Sequence, residues 1–325
     1  MKKIEVSQFG GPENLILVNS EIPNPGANQV LIKVAVAGVN FIDVYQCQGL
    51  PSYNMKVPFT PGLEGAGVVK AIGTGVSEFK VGDQVAWTSA LGSYSQYHLV
   101  EESKLVRVPA GIDLKIAGSI MLQGLTAHYL SHSTFPINKG DVALVHAAAG
   151  GTGRLLCQMI LNRGGKVIAT TSSASKAASI SEIGVTEIIR YDQLNISTEV
   201  KRITNGTGVN VVYDGVGKST FDESLASLKK RGMLVLFGAS SGAVPPFEIQ
   251  RLNSGGSLYL TRPSLFHYTE TPAELRERSQ SLFEMVAAKK LEIKWHKEYK
   301  LDEAGLAHSD ITGGKTSGKL VLFPE

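Results

Sequence analysis

Cysteine is almost missing from this chain: Cys47 and Cys157 are the only two among 325 residues, and they stand far apart. That excludes a disulfide framework and any cysteine-based metal cluster, and it suits a reducing compartment. A surplus of either charge is missing too, with 32 basic against 29 acidic residues and a net charge of +3. No basic stripe interleaved with aromatics is present, so nucleic acid is not an expected partner. No run approaches the ~18 apolar residues of a membrane span, and no apolar h-region follows Met1 to Glu5. The expectation is a cytoplasmic protein without a membrane role. Repeats and low-complexity tracts do not occur. Nor do Tyr-x-x-x-Lys, Gly-x-Ser-x-Gly or His-Glu-x-x-His, which removes several catalytic schemes.

Glycine is plentiful, at 35 residues, and the chain is 43% hydrophobic. Length is a prior for two domains. The informative stretch is Lys139 to Gly153. Val142 to Val145 reads as a strand buried on both faces. Leu155 to Leu161 reads as a helix that Gly164-Gly165 closes. Between them lies Ala148-x-Gly150-x-x-Gly153, a dinucleotide fingerprint with alanine at the first glycine position. Gly150, Gly151, Thr152 and Gly153 would face a pyrophosphate at a helix N-terminus.

Downstream, strands and helices alternate. Strands are expected at Lys166 to Thr170, Glu187 to Arg190, Val209 to Asp214, Met233 to Phe237 and Ser257 to Thr261. Helices are expected around Ser175 to Ile183, Ser197 to Asn205 and Ser219 to Leu228. This alternation predicts a parallel, doubly wound α/β sheet over 124–264. A helix over Gly124 to Ser131 leads into it. Residues 1–123 instead show short β patterns with Gly/Pro punctuation: Ile4 to Val6, Leu15 to Val18, Val30 to Val39, Gly65 to Ile72, Gln84 to Trp87, Tyr94 to Val100 and Leu105 to Val108. They predict a mostly antiparallel β unit. A helix over Ala273 to Lys290 and a strand over Gly318 to Phe323 end the chain.

The second sheet strand ends Thr170-Thr171-Ser172-Ser173. An NAD site usually carries an acid there, for the ribose 2′-hydroxyl. None is present. Ser172, Ser173 and Lys176 offer hydroxyls and a cation that suit a 2′-phosphate, which predicts NADPH. The same residues also read as a serine-rich helix cap with a solvated lysine on its first turn.

The chain resembles the medium-chain dehydrogenase/reductase superfamily over nearly its whole length, and within it the zinc-free quinone oxidoreductases of the ζ-crystallin group. Gly38 to Asp43, Pro61 to Val69, Val81 to Val85, Gly140 to Gly153, Tyr213 to Gly217 and Leu258 to Ser264 carry the resemblance. It implies a GroES-like domain from residues 1–123 and 265–325, a Rossmann domain over 124–264, and homodimers paired through the Rossmann sheet edge. It places Asn40, Leu63 and Gln123 where zinc-dependent relatives carry metal ligands; leucine cannot ligate, and the two amides are poor zinc ligands. His128 and His132, four apart, have no third ligand nearby. The resemblance further implies cofactor contacts at Asn40, Thr126, Tyr191, Val216, Gly238, Ala239, Ser240, Ser241, Arg262, Pro263 and Lys319. Lys319 also reads as a solvated strand-edge lysine.

Without a Lewis acid the substrate must accept hydride unaided, as quinones and conjugated enones do. Asn40, Tyr45 and Tyr53, in one loop-rich stretch, are the candidate catalytic groups; plain packing is the other reading of the two tyrosines. The expected activity is NADPH-dependent quinone reduction. Enone or alkenal double-bond reduction is the alternative, and a nucleic-acid-binding or structural crystallin role is the alternative of another class.

Overall fold

The computed structural model describes all residues, Met1–Glu325. The chain forms two compact units. One comprises Met1–Leu125, Thr269–Ala288 and Ile293–Glu325; the other comprises Thr126–Tyr268 and Lys289–Glu292.

The first unit is built on a seven-stranded sheet. Its path runs Trp295–Lys300, Lys319–Phe323, Gln29–Val39, Glu64–Ile72, Gln84–Thr88 and Leu105–Arg107, with Tyr97–Glu101 pairing beside Gln29–Val39. All pairings are antiparallel except that of Trp295–Lys300 with Lys319–Phe323. Gln29–Val39 is the spine, paired to three neighbours, and its β-branched residues Val30, Ile32, Val34 and Val39 enter the core. Trp87 is wholly buried there, and its indole N–H donates to Ser93 Oγ at 3.0 Å, so its polar edge is satisfied. The stretch expected to be loop-rich is more ordered than that. Tyr45 lies on a helix, Phe41–Cys47, and Tyr53 ends a short 3-10 turn, Pro51–Tyr53.

The second unit holds a six-stranded, all-parallel sheet. Its order is Glu187–Arg190, Lys166–Thr171, Val142–Val145, Val209–Asp214, Leu228–Leu236 and Tyr259–Thr261. From Val142–Val145 the chain first winds outward to one side. It then returns to the other side at Val209–Asp214. The strand order therefore reverses next to Val142–Val145, the place where such sheets bind ligands outside their strand ends. Leu144, Ile168, Val212 and Leu234 are fully or almost fully buried at the sheet's centre. The helix expected from Gly124 begins at Leu114, runs to Tyr129 and continues as a π turn, Leu130–Thr134.

Candidate active site

The strand Val142–Val145 is followed by Ala147, held at φ 49°, and by the helix Gly151–Asn162 with Gly150 as its N-cap. No side chain caps that helix, so its first N–H groups are left to a ligand. Gly153 packs against the turn: a Cβ there would lie 2.5 Å from the Ala147 carbonyl oxygen and 2.8 Å from Ala148 Cα. A side chain would push the helix off the strand. This cradle fits a pyrophosphate.

At the end of the neighbouring strand, Ser173 caps the helix Ala174–Ser181, its Oγ accepting from Lys176 N at 3.3 Å. Lys176 Nζ reaches back and donates to Ser172 Oγ at 3.3 Å. Partial burial holds this ammonium below its ordinary value. Ser173 thus caps its helix, while Ser172 and Lys176 form a hydroxyl–cation pair beside it. Tyr191 joins them through its N–H to the Thr171 carbonyl, at 3.2 Å, with its ring half exposed.

On the other side of the reversal, buried Asp214 ends its strand and organises the next turn. Its Oδ1 accepts from Val216 N at 2.8 Å and Gly217 N at 3.0 Å; its Oδ2 accepts from Thr220 Oγ1 at 2.7 Å and Ser224 Oγ at 2.8 Å. His146 Nε2 bonds Ser224 Oγ at 3.0 Å, and burial lowers the pKa of this imidazole. Ser241 fastens the facing turn, donating from Oγ to the Val216 carbonyl at 2.8 Å. Gly238, Ala239 and Ser240 lead into it. Arg262 donates to the Leu236 carbonyl at 2.9 Å, with Pro263 following, and Thr126 is buried. The motif Tyr213 to Gly217 does not by itself assign Asp214 a role; an acid closing an apolar strand before Gly-Val-Gly is the available signal.

In the first unit, Asn40 is 2% exposed and sits in a polar network. Its Oδ1 accepts from Lys319 Nζ at 2.9 Å and from Gln123 Nε2 at 3.0 Å. Its Nδ2 donates to Glu64 Oε2 at 2.8 Å and, more weakly, to the Gly38 carbonyl at 3.4 Å. Lys319 and Glu64 form an ion pair at 2.5 Å with both side chains buried. Leu122 N donates to the other carboxylate oxygen at 2.7 Å. Gly38 makes the room, since a Cβ there would stand 2.1 Å from Glu64 Oε2. Lys319 is therefore not a solvated strand-edge lysine: it is buried, and its ammonium donates to Glu64, Asn40 and the Val39 carbonyl. Glu64 was missed as a functional residue; a lone acid inside a glycine-rich apolar strand was the clue.

The network continues through Asp43, which accepts from Asn40 N at 2.8 Å and from the Tyr94 hydroxyl at 3.1 Å. Tyr94 also meets His308 Nε2 at 3.1 Å; with the hydroxyl proton committed to Asp43, that nitrogen is the donor. Burial pushes the Asp43 carboxyl up to about 7, against the pull of Asn40 N–H, Lys319 and Tyr94. Burial also brings His308 down to about 4. Beside the network, Tyr45 stacks on Tyr53 with ring centres 5.8 Å apart, and Phe41 leans on Tyr45 at 6.0 Å. The three half-buried rings form one small aromatic cluster.

The residues at the metal-ligand positions do not fit zinc. Leu63 has no donor atom, and the Asn40 oxygen is bound to an ammonium and an amide. His128 and His132 stack face to face at 4.2 Å, and no group of three His, Cys, Asp or Glu side chains converges.

A doubly wound sheet with a dinucleotide cradle at its reversal point, in one chain with a GroES-like β unit, defines a medium-chain dehydrogenase/reductase. Residues 26–110 match the alcohol dehydrogenase GroES-like domain, and residues 151–278 match the zinc-binding dehydrogenase domain. A quinone oxidoreductase of Pseudomonas aeruginosa is 40% identical over 99% of this chain and 99% of its own length. A 2-haloacrylate reductase of a Burkholderia species is 39% identical over 98% of each. The structure of Escherichia coli quinone oxidoreductase complexed with NADPH superposes with a TM-score of 0.97, at 38% identity and full coverage of both chains. The chain belongs to the quinone oxidoreductase family, and it is an oxidoreductase.

Proposed function

We propose that this enzyme reduces quinones with NADPH, without a metal ion. The observation that carries the cofactor choice is the strand end at Thr171-Ser172-Ser173, which has no carboxylate and holds Lys176 Nζ 3.3 Å from Ser172 Oγ. The likeness to quinone oxidoreductases, one of them solved with NADPH, supports the reading. Bound NADPH supplies a hydride. Gly150, Gly151, Thr152 and Gly153 hold its pyrophosphate on the free helix N–H groups. Ser172, Ser173, Lys176 and Tyr191 hold the ribose phosphate. Asn40 and Lys319 also meet the cofactor, and Val216, Gly238, Ala239, Ser240, Ser241, Arg262, Pro263 and Thr126 complete the set on its own domain. We assign this set to residues 124–264 as the cofactor domain, and substrate handling to 1–123 with 265–325.

Tyr45 and Tyr53, with Phe41, offer the substrate ring a flat apolar surface that excludes water. Asn40 acts from behind them, its amide already committed to Lys319, Gln123 and Glu64. A substrate that delocalises the incoming charge needs no stronger electrophile. The second reading, reduction of an activated double bond, is favoured by the likeness to 2-haloacrylate reductase. We further read the protein as a cytoplasmic homodimer.

The test follows NADPH oxidation with p-benzoquinone, phenanthrenequinone and an alkenal in parallel, repeated with NADH and with EDTA. Quinone turnover that prefers NADPH and ignores EDTA is expected. Turnover confined to the alkenal replaces the first reading with the second. Loss of activity on chelation ends the metal-free account.

A further inference from the structure

The network around Asn40 leaves two buried oxygens without a partner, Asp43 Oδ1 and Gln123 Oε1, and the second has its polarity fixed by its neighbours. Gln123 Oε1 is buried and has no hydrogen-bond partner, in a residue only 9% exposed. Its orientation is not a free choice. The Lys319 ammonium can only donate, so the Asn40 atom 2.9 Å away must be the oxygen. The Asn40 NH2 group then meets the Glu64 carboxylate, which can only accept. With the Asn40 oxygen fixed, the Gln123 group 3.0 Å from it must be the NH2. Turning Gln123 over would set two carbonyl oxygens against each other. The Lys319–Glu64 charge pair thus dictates, through two amides, that Gln123 presents an acceptor and not a donor. A buried acceptor left without a donor is costly, and such atoms in native proteins mark a place for one.

We propose that Gln123 Oε1 binds the O–H of a reaction component, and that Lys319 and Glu64 are positioning residues that set its polarity. The inference rests on the quinone-reductase reading. A quinone has no O–H to give, and the proposal distinguishes two sources. One is a hydroxyl of the hydroquinone product. The other is a water molecule, whose second hydrogen faces the substrate oxygen. After hydride transfer that water gives a proton to the oxyanion: a water O–H bond breaks, a product O–H bond forms, and the hydroxide left behind takes a proton from bulk water. In either case Gln123 favours the reduced, protonated side of the reaction.

The experiment compares wild type, Gln123→Leu and the double variant Glu64→Gln/Lys319→Met, which removes both buried charges together. Thermal unfolding first establishes that each is folded. Dissociation constants for p-benzoquinone and for hydroquinone are measured on the protein alone by tryptophan fluorescence. The solvent deuterium isotope effect on kcat is measured with NADPH. If the product hydroxyl is the donor, Gln123→Leu weakens hydroquinone about tenfold and leaves benzoquinone within about twofold. If water is the donor, hydroquinone binding holds, while kcat falls about tenfold and the isotope effect rises. The double variant should move the same readout in the same direction. A Gln123→Leu protein with unchanged binding and an unchanged isotope effect overturns the site. A double variant indistinguishable from wild type overturns the positioning role. Wild-type protein that turns over no quinone removes the function itself, and this inference with it.

Discussion

Lys176 carries the heaviest assignment of any single side chain. If its ammonium meets a phosphate, removing it costs a charge-assisted contact that only one of the two nicotinamide cofactors makes. Lys176→Ala should weaken NADPH binding by about 1.5–3 kcal/mol, roughly tenfold to a hundredfold, and NADH by far less. Fluorescence titration with both cofactors checks this, and equal losses would remove the phosphate role. Asp43 gives a second prediction, in pH. Its carboxyl stands at about 7 in the fold against an ordinary 3.8, so the folded state binds the extra proton. That contribution to stability is whole below about 4 and is lost as pH rises through 7. Asp43→Asn should therefore gain on wild type in melting temperature between about pH 4 and 7, with no further change above. His98 and His308 act oppositely. Both fall from 6.5 to about 4 on burial, so their contribution is present above 6.5 and disappears as pH falls towards 4. A D43N-to-wild-type difference that is flat across the window would show that Asp43 stays ionised.

Among the elements, the turn into the Gly151–Asn162 helix is the least tolerant of change. Gly153→Ala places a methyl carbon against backbone that cannot yield without moving the strand. A loss of about 1–3 kcal/mol in urea unfolding is expected, together with weaker NADPH binding; a neutral substitution would mean the helix does not need this approach. The strands of this sheet were readable in the sequence because they are short, apolar and buried on both faces, as at Val142–Val145 and Val209–Asp214. Other elements carried no such signature. Trp295–Lys300 lies at the sheet edge with polar, largely exposed residues, so no alternation marks it. Phe41–Cys47 is seven residues long and holds isoleucine, valine and tyrosine, none of them strong helix formers. The first half of Leu114–Tyr129 hides behind Gly118 and Ser119. The same holds for the candidate site. The phosphate cradle is local in sequence and could be read there. The Asn40–Glu64–Lys319–Gln123 network could not, because its members meet only through tertiary folding.

At the scale of the molecule, charge and exposure set the expected partners. A net charge of +3 spread over 325 residues offers little to a polyanion. The protein should pass through immobilised RNA or DNA without retention at physiological salt, and salt-dependent retention would revive the nucleic-acid alternative. No helix is long and apolar enough to cross a membrane. The exposed edge strand Tyr259–Thr261, with Tyr259 more than half exposed, is where pairing of two copies is expected. Light scattering behind a sizing column should report a dimer, and charged substitution at Tyr259 should shift it towards monomer.

The Lys319–Glu64 pair joins positions 255 apart along the chain. During synthesis Glu64 emerges long before its counter-ion, by about 13–50 s at ordinary elongation rates. Through that interval the carboxylate lacks the ammonium that neutralises it in the fold, and the Asn40 oxygen lacks one of its two donors. The network around Asn40 therefore closes only after residue 319 has been added, however early the rest of its members have emerged.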